Sequence, residues 1–356
     1  MTVGASVEYL IVGQGLAGTA LAWELIWRGR EVLVVDTGEA VTSSRIAAGL
    51  VTPITGQRLA LSWRVAEMLA AARAFYARME NGIGGAFFRD LAIRRLFQNE
   101  AEAARWQQRR TDPAFQAHAA QAWLPEAGPF GGMELRGAQL SCARYLEASR
   151  AALARRGCFE QRVMEPREVA DFPARKVIFC QGFAAAKNPF FSWIEWKAAK
   201  GEILTVKTTG LDPGKAVTAG QWLAPEMMAD PAVDLADADA VENGGTGWQF
   251  ARTGSTYEWT ALDQTPTEEA RAKLVAGLSR LHGQRCEVIA HHAAVRPIIR
   301  ESKALIGLHP AREKLGFFNG LGSKGSLHAP FFARQFARHL AEGQPLEPEC
   351  DLQRNG

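Results

Sequence analysis

The chain has no cysteines at metal-binding spacing: Cys142, Cys158, Cys180, Cys286 and Cys350 stand far apart, with no C-x-x-C pair. That excludes the usual zinc spacings and a disulfide framework, and free thiols are expected. A long apolar run is also missing. The most membrane-like stretch, residues 9–27, is broken by Gln14, Thr19, Glu24 and three glycines. It has neither a basic flank before it nor a small-residue cleavage pattern after it, so no membrane span, no signal peptide and a cytoplasmic location are expected. Neither sign of charge dominates. With 41 Lys and Arg against 38 Asp and Glu, the formal charge of +3 does not by itself call for nucleic acid. Internal repeats, low-complexity segments and a G-x-S-x-G elbow are absent, which excludes solenoids and ester hydrolysis of that type. His291 and His292 are neighbours on an expected strand and point to opposite faces, so no metal site is expected.

What is present is an ordinary globular balance, 47% apolar and 22% charged over 356 residues, enough for one large domain or two intertwined ones. Glycine (34) and tryptophan (10) are in excess. Residues 8–12 form an apolar run of strand type, 13–18 a glycine-rich turn, and 17–27 a segment of helical spacing closed by Gly29. The next buried strand runs from 32 to Asp36, completing a βαβ unit. Helices are expected over 61–79, 100–110, 142–156, 267–281 and 326–340, and strands over 87–97, 159–164, 176–180 and 315–319. Further strands at 202–208, 216–223, 247–253 and 256–260 carry Trp222, Trp248 and Trp259 and read as an antiparallel sheet. Pro113, Pro125 and Pro129 break the stretch between, and residues 345–356 read as a polar tail.

Gly13, Gly15 and Gly18 spell G-x-G-x-x-G between a strand and a helix, and Asp36 follows 18 residues after Gly18. This is the arrangement of a dinucleotide site. Gly13 permits the turn, Gly15 lets the backbone approach a pyrophosphate, and Gly18 lets the helix pack close. The N–H groups of the first helical turn, around Leu16 and Ala17, hold phosphate charge, while Asp36 and Thr37 face a ribose. The turn alone does not separate NAD from FAD. Ser43, Ser44 and Arg45 offer donors to phosphate and ribose, and the small run Ala47, Ala48, Gly49 with Leu50 can lie against a flat ring. A polar loop opening a helix is the plain alternative for that cluster. Gly320, Gly322 and Gly325 repeat the spacing near the C-terminus, but no strand with an acid follows. That turn reads instead as a helix N-terminus, with Ser323, Lys324 and Ser326 at its mouth, suited to the negative charge of a reduced flavin.

Taken together, VGQGLAG with Asp36, SSRIAAGLVTP, VIFCQG, KGEI, AVRPIIRES and GLGSKGSLHAP resemble the D-amino-acid oxidase and glycine oxidase family of FAD enzymes over most of the chain. GLGSKG is also similar to the terminal motif of the oxidase domain of the bifunctional enzyme that matures 5-methylaminomethyl-2-thiouridine in tRNA. The resemblance implies an α/β (α+β) fold. A Rossmann-like FAD-binding domain of glutathione-reductase type would comprise residues 1–80, 140–195 and 295–356. A substrate domain on an antiparallel sheet would comprise 81–139 and 196–294. It implies oxidation of the C–N bond of an amine or amino acid, with hydride passing to flavin N5 and the resulting imine hydrolysing. It places Val163 at the adenine, Gln181 and Gly182 beside the pyrophosphate, the 320–325 turn at the flavin and Arg296 at a substrate carboxylate, with Lys324 a second catalytic candidate. FAD would be non-covalent, since no cysteine in the terminal motifs and no histidine in the N-terminal loop stands where sarcosine oxidases and dimethylglycine dehydrogenases attach it.

Arg296 suits that role on chemical grounds, because a guanidinium fork grips a carboxylate through two bonds and fixes the neighbouring carbon. A structural salt bridge is the alternative. Trp222, Trp248, Tyr257 and Trp259 are candidates for a substrate pocket, with Trp248 and Trp259 taken as substrate contacts, or for core. Leu321 stands where relatives commonly carry histidine and Ser323 where glycine oxidase carries arginine, which argues against glycine itself as substrate. The expected partner is a small amine or amino acid. The rival readings are a tRNA wobble-uridine oxidase-like enzyme, with the basic face Arg105, Arg109 and Arg110 tracking phosphates, and a flavin-binding redox module without turnover.

Overall fold

The computed structural model describes residues 7–227, 248–299 and 303–353. The first residue of the expected 247–253 strand, the end of the AVRPIIRES motif and the last three residues of the tail lie outside them. Val7–Val12 is the middle of a six-stranded sheet, with Ala174–Phe179, Arg312–Asn319 and Leu305–His309 on one side and Val32–Asp36 and Phe159–Gln161 on the other. All neighbours pair parallel except Leu305–His309, which runs antiparallel to Arg312–Asn319.

These strands read as continuous apolar runs because both faces are covered. Tyr9, Ile11, Val32, Val34 and Ile178 pack into one core with Leu21, Phe75, Tyr145 and Phe332 from the helices Leu16–Ile26, Val65–Ile83, Cys142–Arg155 and Gly325–Glu342. Their sequence neighbours Leu10, Val12, Leu33, Val35 and Val177 face a second core containing Val169, Phe191 and Ile194. Alternation along each strand thus distributes side chains between two hydrophobic layers.

Among the described residues the second sheet holds nine strands. Its main path runs Glu287–Arg296, Ala199–Thr208, Gln249–Gly254, Gln221–Pro225, Lys215–Ala219, Phe88–Leu96, Gly132–Leu140 and Leu50–Val51, and Ala119–Leu124 pairs with Gly132–Leu140. Pairing is antiparallel apart from Lys215–Ala219 against Phe88–Leu96. Residues 216–223, expected as one strand, form a hairpin that turns at Gly220 and pairs Val217 with Leu223. Residues 256–260 are not a sheet strand: only Glu258 is bridged, to Lys200. The helix expected from residue 61 begins at Val65, because Ala60–Leu61 pairs with Ile54–Thr55. The strand expected to reach residue 164 ends at Gln161. The strands Gly132–Leu140, Glu287–Arg296 and Leu305–His309 carry no alternation strong enough to announce them, since most of their residues are at least half-buried on both faces.

No helix among the described residues is long and apolar enough to cross a membrane.

Candidate functional site

A single cavity of about 910 Å³ begins at the carboxyl end of Val7–Val12 and extends to the second sheet. Brought together on it are Gly13, Gly15, Leu16 and Ala17 of the first turn, Asp36 and Thr37, Ser43, Ser44 and Arg45, and the small run 47–50. Val163, Gln181 and Gly182 line it too, as do Gly322, Ser323, Lys324, Gly325 and Ser326 of the second turn. Arg296 lines its far part beside Ile203, Trp222, Tyr257 and Leu262.

Two helices present their N-termini here. Leu16–Ile26 has Gly15 as N-cap and Gly325–Glu342 has Lys324, and neither has a side-chain cap or an acidic residue in its first turn. Positive ends of helix dipoles are therefore directed at one cavity without a built-in counter-charge. Gly18 does not line the cavity but sets the first turn, since a Cβ there would lie 1.9 Å from the Gly13 carbonyl oxygen. Gly320 does not line it either but sets the second turn, with a positive φ of 83° and a Cβ position 2.9 Å from the Lys303 carbonyl oxygen. The Ser44 hydroxyl accepts from the Leu16 N–H (3.2 Å), tying the 42–46 loop to the first turn. Asp36 accepts from the N–H groups of Gln14 (2.7 Å) and Gly38 (2.8 Å). At the second turn, Lys324 donates to the Ser62 hydroxyl (3.1 Å), and burial pulls its ammonium down from the ordinary lysine pKa. Burial, and after it the Lys324 charge, pushes His328 down to about 3, so its imidazole is neutral.

Arg296 ends the strand Glu287–Arg296, opposite Ala199 of the neighbouring strand. Its guanidinium lies over Gly201, where a Cβ would come within 2.0 Å of it. It donates to Ser255 Oγ (2.6 Å) and to the carbonyls of Thr256 (3.1 Å) and Lys200 (3.4 Å), and Tyr257 covers it at 4.1 Å. All of these partners are neutral. Among the described residues no carboxylate pairs with it, so the structural salt bridge is not what holds Arg296. Burial lowers its pKa from the ordinary value, but an arginine remains charged. The 255–263 segment that supplies these contacts is held to its strand by backbone bonds between Lys200 and Glu258 (2.8 and 3.0 Å) and by Lys200 Nζ on Asp263 (2.6 Å).

The family model described as "FAD dependent oxidoreductase" (DAO) matches residues 8–339. The chain belongs to that family. This FAD-dependent oxidoreductase is 27% identical to the glycine oxidase of Pseudomonas putida over 374 residues, covering 96% of each chain. Among solved structures it resembles the glycine oxidase of Geobacillus kaustophilus, with a TM-score of 0.73 and 18% identity over 96% of this chain and 95% of the other. The iminodiacetate oxidase of Chelativorans sp. BNC1 superposes with a TM-score of 0.72, at 19% identity over 96% of both chains.

The cavity of the oxidoreductase fits FAD. It runs from the first glycine turn and Asp36 to Arg296, and its two uncapped helix N-termini suit a pyrophosphate and an electron-rich ring. Two sequence expectations need correction. Trp248 does not line the cavity: it lies under the Lys207 ammonium, 5.2 Å away, at the start of Gln249–Gly254. Trp259 does not line it either: it stacks on Tyr257 (5.9 Å) and is half exposed. Trp222 and Tyr257 are the aromatics that reach the cavity. Arg105 and Arg109 donate to the backbone carbonyls of Gln57, Arg58 and Leu59 and so brace a loop instead of forming a free basic face. Sequence reasoning missed Arg150, Arg162 and Lys187, which also line the cavity. None sits in a motif, and only the folded chain brings them there, Arg150 from the helix Cys142–Arg155, Arg162 from the loop after the strand Phe159–Gln161 and Lys187 from the end of a short 3-10 helix.

Proposed function

We propose that this FAD-dependent oxidoreductase oxidises the C–N bond of a small amino acid, primary or N-substituted, giving an imine that hydrolyses in water. The observation that carries this reading is the Arg296 guanidinium, partly buried on the cavity wall among neutral partners only. A cation so placed is best satisfied by a carboxylate held through two parallel bonds. The glycine and iminodiacetate oxidases it resembles act, by their names, on compounds that carry carboxylates.

FAD would be held by Gly13, Gly15, Leu16 and Ala17 at the pyrophosphate, by Asp36 at the ribose, and by the 47–50 run and the 322–326 turn at the flavin. When bound, it supplies the two-electron acceptor for the substrate C–H bond. The chain's own residues bind and orient. Arg296 fixes the carboxylate and with it the adjacent carbon, Tyr257 covers the guanidinium, and Ile203, Trp222 and Leu262 exclude water. The uncapped N-terminus of Gly325–Glu342 and the Lys324 ammonium favour negative charge at the second turn.

Anaerobic titration of the holoenzyme with D-, L- and N-substituted amino acids, each beside the amine lacking its carboxylate, tests the proposal. Bleaching of the flavin bands by acids and not by the matched amines is expected. Equal bleaching by both, or by neither, would overturn it.

Gly201→Ala provides an independent check. The atoms its Cβ meets are the flexible end of Arg296, so the fold absorbs the change while the guanidinium is displaced. A displacement of about 1 Å is expected to cost roughly 10²-fold in kcat/KM, read by steady-state kinetics with the FAD spectrum unchanged.

A further inference from the structure

Arg150, in the helix Cys142–Arg155, has no part in the sequence motifs, yet it is joined to the first glycine turn and to Asp36 at once. Its Nε donates to Gln14 Oε1 (2.8 Å) and its Nη2 to Asp36 Oδ1 (3.0 Å), while its guanidinium lies over the Phe159 ring at 5.2 Å. Gln14 is buried inside the turn. Its backbone N–H donates to Asp36 Oδ2 (2.7 Å) and its side-chain amide to the Leu146 carbonyl (2.8 Å), one helical turn before Arg150. Asp36 Oδ1 also accepts from the Gly38 N–H (2.8 Å). Arg150, Gln14 and Gly38 therefore occupy Oδ1 twice and Oδ2 once, and a carboxylate with about four acceptor positions keeps one on Oδ2.

Both Asp36 and Arg150 line the FAD cavity. A bare carboxylate there would serve ribose hydroxyls but would repel the pyrophosphate, and its side chain would lose rotamer freedom on binding. A guanidinium bonded to it adds a third bond to those of the Gln14 and Gly38 N–H groups and offsets its charge.

We propose that Arg150 is a positioning residue for the adenosine half of FAD: through its bonds to Asp36 and Gln14 it holds the ribose-binding carboxylate in one rotamer and offsets its charge against the pyrophosphate. The inference rests on the reading of Asp36 as the ribose ligand. It concerns cofactor retention and not turnover, so activity is not its measure.

The test is a dilution series of full-length holoenzyme in which released FAD is read by its regained fluorescence, for wild type, Arg150→Gln, Arg150→Lys, Asp36→Asn and the Arg150→Gln/Asp36→Asn double variant. Arg150→Gln is expected to raise the Kd for FAD about tenfold, as loss of one charge-assisted contact would, and Arg150→Lys to recover part of it. The double variant is expected to match the weaker single one, because Arg150 acts through Asp36. Additive losses would mean a separate structural or direct phosphate role and would overturn the proposal, as would an unchanged Kd in Arg150→Gln. If Asp36→Asn alone leaves Kd unchanged, the ribose reading itself fails, whereas an effect of Asp36→Asn without one of Arg150→Gln sinks only the present inference. Should Arg150→Gln not accumulate folded, the same cycle run with Arg150→Lys decides, with a smaller shift expected.

Discussion

Arg296→Met is expected to lower kcat/KM for amino-acid substrates roughly 10²-fold, a loss of about 3 kcal/mol of transition-state stabilisation, the order found when one partner of a buried charge pair is truncated. The loss should fall mainly on KM if the carboxylate contact is equal in ground and transition states, and on kcat if it aligns the reacting carbon. Arg296→Lys should recover little, because a lysine cannot reproduce the fork that meets a carboxylate through two bonds. Flavin absorbance should be unaltered in both variants, since the contacts of Arg296 are to Lys200, Ser255, Thr256 and Tyr257. A wild-type kcat/KM in Arg296→Met would remove the carboxylate assignment. So would an equal loss on a substrate without a carboxylate.

Gly18→Ala is expected to have the largest effect on cofactor retention. Its Cβ would stand 1.9 Å from the Gly13 carbonyl oxygen, and unlike the flexible arginine end above Gly201, that oxygen belongs to the turn that carries Gly13 and Gly15. The helix must move away from the strand or the turn must deform, and overpacking of this kind costs about 1–3 kcal/mol in stability. A protein purified with little or no yellow colour and a lowered Tm is the expected result. Full retention of FAD would show that the turn tolerates separation from its helix.

The parts of the site legible in the sequence are those made by neighbours in the chain. In VGQGLAG the strand, the turn and the helix N-terminus are contiguous, and the apolar run up to Asp36 places the acid by length alone. The 320–325 turn was legible for the same reason, lying between Arg312–Asn319 and Gly325–Glu342. Trp248 escapes the sequence because strand alternation says which way a side chain points relative to its neighbours but not which face of the sheet meets the cavity, and Trp259 because residues 256–260, though of strand composition, join no sheet strand. The hairpin at Gly220 escapes the sequence for a related reason: a lone glycine within a run of strand composition suits a strand interior and a tight turn alike.

Local order along the chain therefore determined the glycine-rich turn, the strand that ends at Asp36 and the α/β class, because backbone geometry and hydrophobic period act over a few residues. Tertiary structure decided the rest. It set Arg296 over Gly201 under Tyr257, and carried Arg150 from a helix more than a hundred residues away onto Asp36. Such contacts arise from how packed layers bring distant segments together, and no period or motif within either segment records them.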